Sequence, residues 1–141
     1  MAHAPPSVLK GGCLCGAVGF TVTGSPLAVR ACWCRVCQFM AAGNASISAF
    51  FRGEDLHVDG VVASHERRAA SGAIIRHRFC PRCGTQLFAD EREASGFVAV
   101  RVGTLDVRDG LAPTSYIWTN SAPDWGHFDL PAVGNEIEQG Q

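Results

Sequence analysis

The chain has 141 residues, 47% of them hydrophobic and 18% charged, and a formal net charge of −1. That suits one domain with a buried core and excludes wholesale disorder. It also excludes a basic nucleic-acid footprint, because Lys10 is the sole lysine and the arginines are scattered.

Residues 1–7 and 134–141 read as flexible tails around a single domain spanning 8–133. The first ten residues carry no basic lead-in and no apolar stretch of signal-peptide length. No segment approaches the roughly 18 consecutive apolar residues of a membrane helix. The expectation is a cytoplasmic protein without membrane or nucleic-acid partners. The alternating run 17–23 predicts a strand that stops at Gly24-Ser25-Pro26. Residues 35–40, just after Cys34, predict a turn or two of helix. Further strands are expected at 46–51, 56–58, 73–79, 85–89 and 97–102, with a weaker one at 116–119. Sixteen glycines between these short runs fit many tight turns. The predicted class is all-β with minor helix.

Seven cysteines fall into three groups: Cys13-Leu14-Cys15, Cys32-Trp33-Cys34-Arg35-Val36-Cys37, and Cys80-Pro81-Arg82-Cys83-Gly84. In a reducing compartment such spacing points to metal or catalysis rather than disulfides, and the odd count agrees. Cys80-x-x-Cys83-Gly84 is the most specific of the three. A turn of this kind aims both sulfurs at one ion, and the glycine supplies the positive φ it needs. A redox dithiol would call for a strand-to-helix context, whereas residues 85–88 continue as strand. Cys13 and Cys15, two apart in an extended segment flanked by Gly11, Gly12 and Gly16, would point the same way and complete a tetrahedral set. As buried apolar side chains they would need no partner.

Cys32, Cys34 and Cys37 then form a three-sulfur set with a vacant fourth position, the arrangement of a catalytic zinc. The expected cofactor is two zinc ions per chain, one closed and structural and one with an open position. A competing partition joins Cys34 and Cys37 with Cys80 and Cys83 as a zinc ribbon, leaving three thiols spare. An iron–sulfur cluster would want three or four cysteines in one tight run.

With these residues in view, the chain resembles the glutathione-dependent formaldehyde-activating enzyme family, which also includes centromere protein V. The resemblance rests on Gly12-Cys13-Leu14-Cys15-Gly16-Ala17-Val18, on residues 32–38, on 79–85, on Val102-Gly103-Thr104-Leu105-Asp106, and on Ser121-Ala122-Pro123-Asp124-Trp125. It implies an Mss4-like fold of twisted antiparallel sheets. It further implies a structural zinc on Cys13, Cys15, Cys80 and Cys83, and a labile zinc on Cys32, Cys34 and Cys37. The implied activity is carbon–sulfur lyase chemistry on thiol–aldehyde adducts such as S-(hydroxymethyl)glutathione, so the implied partners are a glutathione-like thiol and a small aldehyde. Two positions depart from the family pattern: Trp33 and Tyr116 stand where a histidine is usual. Trp33 is expected to add a flat apolar surface beside the open metal.

A zinc held by three thiolates carries a net charge near −1, a weak Lewis acid but a good site for ionising a fourth thiol. Arg35 is the candidate partner for a substrate carboxylate, or else offsets the thiolate charge. His57, His65 and His77 lie in strand contexts and read as structural or exposed. His127, after Trp125-Gly126, has no spacing that assigns it. Residues 66–68 and 90–93 read as solvated turns. Thr104 and Asp106 read as turn builders. The alternative function is a non-enzymatic zinc-binding module of Mss4-like fold, which would need only the four-cysteine site.

Overall fold

The computed structural model describes residues 7–92 and 96–126. In chain order these form β1 (Val8–Gly12), β2 (Gly19–Thr23), β3 (Ala28–Cys32), α1 (Arg35–Met40), β4 (Ser46–Arg52), β5 (Leu56–Asp59), β6 (Ala63–Arg68), β7 (Ile74–Phe79), β8 (Gln86–Glu91), β9 (Phe97–Arg101) and β10 (Ser115–Ile117), with three short 3-10 turns. The class is all-β with one short helix, in agreement with the Mss4-like expectation. Among the described residues no helix is long and apolar enough to cross a membrane.

Two sheets make up the architecture. β1, β2 and β5 form a three-stranded antiparallel sheet, and the remaining strands form a seven-stranded one in the order β10-β3-β4-β9-β8-β7-β6. Every pairing is antiparallel except that of β10 with β3, which is parallel. The larger sheet turns one face inward. Val29, Ala49, Phe51, Phe88, Val98 and Val100 from that face join Leu9, Phe20 and Val22 of the smaller sheet in one buried cluster. Phe20 meets Phe88 edge-on, ring centroids 4.9 Å apart, which locks the two sheets in contact. Each such side chain, fully buried, contributes about 1.5–3 kcal/mol of transfer free energy.

Gly11 is where β1 meets the 3-10 turn that follows β9. A Cβ there would lie 2.4 Å from the Thr104 carbonyl oxygen and 2.5 Å from the Phe20 ring. Only glycine fits, and the backbone bridge from Gly11 to Leu105 depends on that approach.

Three strands escaped the sequence reading: β1, β3 and β6. The first two are short and contain Lys10, glycines or Arg30, which dilute the alternation. β6 corrects a specific expectation. Glu66, Arg67 and Arg68 are strand residues, not a solvated turn, and β6 looks polar because it is an edge strand with one neighbour. Asp90 and Glu91 likewise end β8. Arg76 donates to both Asp90 carboxylate oxygens at 2.9 and 2.7 Å, with Arg78 3.3 Å away. Glu93, His127, residues 1–6 and the tail 134–141 lie outside the described residues.

Candidate metal centres

Cys13, Cys15, Cys80 and Cys83 bring their sulfurs within 4.8 Å of one another. The loop after β1 supplies the first pair. Cys13 accepts from the Val18 N–H at 3.2 Å, and the Gly16 N–H closes a turn on the Cys13 carbonyl at 3.2 Å. This pair was expected on an extended strand, and the structure puts it in a tight turn instead. Gly16, at φ +83, permits the reversal that aims both sulfurs inward.

The second pair sits on the turn from β7 to β8. Gly84, at φ +77, donates its N–H to the Cys80 carbonyl at 2.8 Å, and the Arg82 N–H reaches the Cys80 sulfur at 3.4 Å. Thr85 ties the halves together. Its hydroxyl oxygen accepts from the Leu14 N–H at 3.1 Å and lies 3.1 Å from the Cys83 sulfur. Those Thr85 contacts lower the Cys83 pKa to about 5, holding it as thiolate.

The distances fit a metal. A tetrahedral zinc with bonds of about 2.3 Å places its sulfurs about 3.8 Å apart. Cys13 to Cys15 is 3.7 Å and Cys15 to Cys80 is 3.8 Å. Four soft sulfur donors with N–H groups on two of them suit zinc.

Cys32, Cys34 and Cys37 form a second cluster, again with sulfurs within 4.8 Å. Cys32 ends β3, and Cys34 is the N-cap of α1 with extended backbone, φ −61 and ψ 155. Its sulfur accepts from the Cys37 N–H at 3.3 Å, doing what a serine or aspartate oxygen does at other helix starts. Strand claw and turn claw converge as the spacing predicts. The ribbon partition is not what the fold assembles, because Cys80 and Cys83 join Cys13 and Cys15. Within the cluster, hydrogen bonds from Cys32 and Cys34 hold the Cys37 thiol strongly toward thiolate, helped by Ser46 and the Arg101 charge. The same sharing pushes Cys32 toward the protonated thiol.

Gln38 fastens this loop from behind. Its buried amide donates to the Trp33 carbonyl at 2.7 Å and to the Ser121 carbonyl at 3.0 Å. Trp33 is packed inside the fold. It is 2% exposed and meets Trp125 edge-on at 6.5 Å. The flat surface expected beside the metal is therefore absent, because residues flanking position 33 project to the opposite side. Tyr116 lies in β10 opposite Ala31.

A cavity of about 290 Å3 abuts the three-cysteine cluster, with Cys32 and Cys37 in its wall. Its floor is the outward face of the seven-stranded sheet, read off at alternate residues. Cross-strand register places Ile117, Cys32 and Ser46 in one row, then Arg30, Ser48 and Arg101, then Phe50, Ala99, Ala89 and His77. Serine and alanine in the middle of those rows leave the hollow. Arg101 donates to the Ser48 hydroxyl at 2.9 Å. Arg67 donates through Nε to His77 Nε2 at 3.1 Å. Burial lowers the His77 pKa to about 4, with the Arg101 and Arg67 charges adding to it, so the ring is neutral. Arg35 is not in this wall: it is exposed, donates to Gln38 at 3.0 Å and lies over the Phe39 ring. His57 and His65 are exposed on β5 and β6. Arg30, Arg67, His77 and Arg101 are the polar cavity residues that sequence reading passed over. Nothing local marks them, and only the strand register gathers them.

The family model described as "Glutathione-dependent formaldehyde-activating enzyme" matches residues 8–121. No curated protein matches the chain. Among solved structures, a Rhodobacter sphaeroides protein from a structural-genomics programme is similar. It is 27% identical, with a TM-score of 0.55, and the match covers 69% of this chain and 87% of that one.

Proposed function

This chain belongs to the glutathione-dependent formaldehyde-activating enzyme family, and from that premise we propose that it is a carbon–sulfur lyase forming or cleaving adducts of a glutathione-like thiol with a small aldehyde such as formaldehyde. The observation that carries the reading is the position of Cys32 and Cys37 in the wall of a cavity, so that the three-sulfur cluster faces a space where a small molecule fits. Cys13, Cys15, Cys80 and Cys83 would hold a closed structural zinc, and Cys32, Cys34 and Cys37 would hold a second, exchangeable one. That second zinc, when bound, supplies a site at which a substrate thiol ionises.

The chain's own residues do the rest. Gln38 fixes the cysteine loop, the apolar side chains of Phe50, Ile75 and Ile117 exclude water, and the cavity arginines balance the negative charge of the cluster and an anionic substrate. Held together in that space, thiol and carbonyl react as neighbours rather than by chance encounter. Arg35, beside the cysteines in sequence, can contribute to an anionic substrate only as a long-range charge. Seven cysteines grouped at metal-ligand spacing suit a reducing compartment, which supports a cytoplasmic setting.

The test is exchange NMR of glutathione and formaldehyde with their adduct, run with zinc-loaded protein. Wild type should accelerate exchange well above the uncatalysed rate, and Cys34→Ser should abolish that acceleration while keeping one zinc per chain. Equal rates for the variant and wild type would remove the reading.

A further inference from the structure

The cavity is more specific than a thiol pocket requires. Three arginines line it, Arg30, Arg67 and Arg101, together with the acids Asp90 and Glu91. Asp90 is already neutralised by Arg76 and Arg78, so the arginines outweigh the remaining carboxylate. Arg30 lies over the Phe50 ring, 5.3 Å from its centroid, which holds its guanidinium along the wall.

Two buried donors there have no acceptor among the described residues. Because His77 Nε2 accepts from Arg67, the proton of the neutral ring is on Nδ1, and Nδ1 has no partner among the described residues. Arg101 uses one terminal nitrogen on Ser46 and Ser48, while its buried Nε–H also lacks a partner. His77 is only 3% exposed. Unmet donors in so enclosed a place cost stability unless something accepts from them.

We propose that Arg101 and His77 form a carboxylate-binding subsite, with Arg67 fixing the His77 tautomer and Arg30 adding charge, so that the substrate thiol carries a carboxylate close to its sulfur. The spacing follows from the sheet. The Arg30–Ser48–Arg101 row lies two residues along the strands from the Cys32–Ser46 row, about 7 Å. Arg101 bridges the two rows, its terminal nitrogen lying 3.4 Å from the Ser46 hydroxyl and 2.9 Å from that of Ser48, so a carboxylate two or three carbons from the sulfur reaches it. This inference rests on the thiol reading above for its substrate, but the subsite binds carboxylate whether or not chemistry follows.

The experiment is calorimetric titration of zinc-loaded protein with ω-mercaptocarboxylates of one to five methylenes, each paired with the mercaptoalcohol of equal length. The acids should bind at least tenfold tighter than the alcohols, with the largest advantage at two or three methylenes. Arg101→Gln should erase the advantage and Arg101→Lys restore part of it, with zinc content unchanged. Arg67→Gln, which leaves the Arg101 bonds to serine intact, should cut the advantage as well. Acids and alcohols binding equally to wild type would overturn the subsite while leaving the thiol reading standing. If no thiol binds, the thiol reading fails and the subsite is judged with propionate alone. A His77 ring-nitrogen shift on titration, lost in Arg101→Gln, supports it, and an unmoved signal overturns it.

Discussion

At the four-cysteine cluster, two turns far apart in sequence meet: Cys15 and Cys80 are 65 residues apart yet their sulfurs are 3.8 Å apart. At the three-cysteine cluster, one strand end and one helix start supply every ligand within six consecutive residues. The first arrangement exists only when the sheets are assembled, so its metal would be inseparable from the fold. The second is a local loop, braced by Gln38, so a metal held there could leave while both sheets stay intact. The same ligand type would thus serve structure in one place and exchange in the other, and what differs is how far the chain travels to close the ring.

Cys80→Ser should break the comparison most severely. Cys80 is fully buried, and structural zinc contributes on the order of 10 kcal/mol to folding in small domains, comparable to a domain's whole stability. The variant should show no cooperative melt by circular dichroism and no tightly held zinc; a normal melt would mean the four-cysteine site is dispensable. Cys37→Ser should leave one zinc and a melting temperature within a few degrees of wild type, while thiol–aldehyde exchange falls at least ~100-fold. Elemental analysis, a melt and the exchange assay on one preparation check all three.

The cavity has its own signature in acid. His77 is neutral in the fold, with its pKa lowered to about 4 against an ordinary 6.5. The unfolded chain therefore binds the proton more readily, and the stability is present above about pH 6.5 and lost as the pH falls toward 4. Between pH 7 and pH 5, with zinc in excess, this loss should be about 2 kcal/mol by urea denaturation. His77→Gln should lack that component, and a variant with the wild-type slope would assign the pH dependence elsewhere. Gln38→Ala should give the smallest effect, about tenfold weaker retention of the second zinc with the first unaffected, because it removes the braces to Trp33 and Ser121 without touching a ligand. Competition with a zinc chelator reads it directly.

Much of this was legible before any coordinates. The alternation of β2, β4, β7, β8 and β9 follows from their side chains, and a turn or two of helix is expected after Cys34, though not its cysteine cap. Cys80-x-x-Cys83-Gly84 announces a metal turn because two sulfurs three apart, ended by a residue tolerant of positive φ, have few other uses. The three-sulfur loop is equally local, so its convergence could be read from spacing. Residues 66–68 were misread because an edge strand and a solvated turn share the same polar composition.

The sequence by itself determined the elements whose causes are local: the strands with clean alternation, the short helix, and the claws of two and three cysteines. Tertiary structure alone decided which claws come together, that Trp33 is buried, and that Arg30, Arg67, His77 and Arg101 stand around one hollow. Those outcomes depend on cross-strand register, which couples residues tens of positions apart. A slip of one residue would send every one of those side chains to the other face of the sheet.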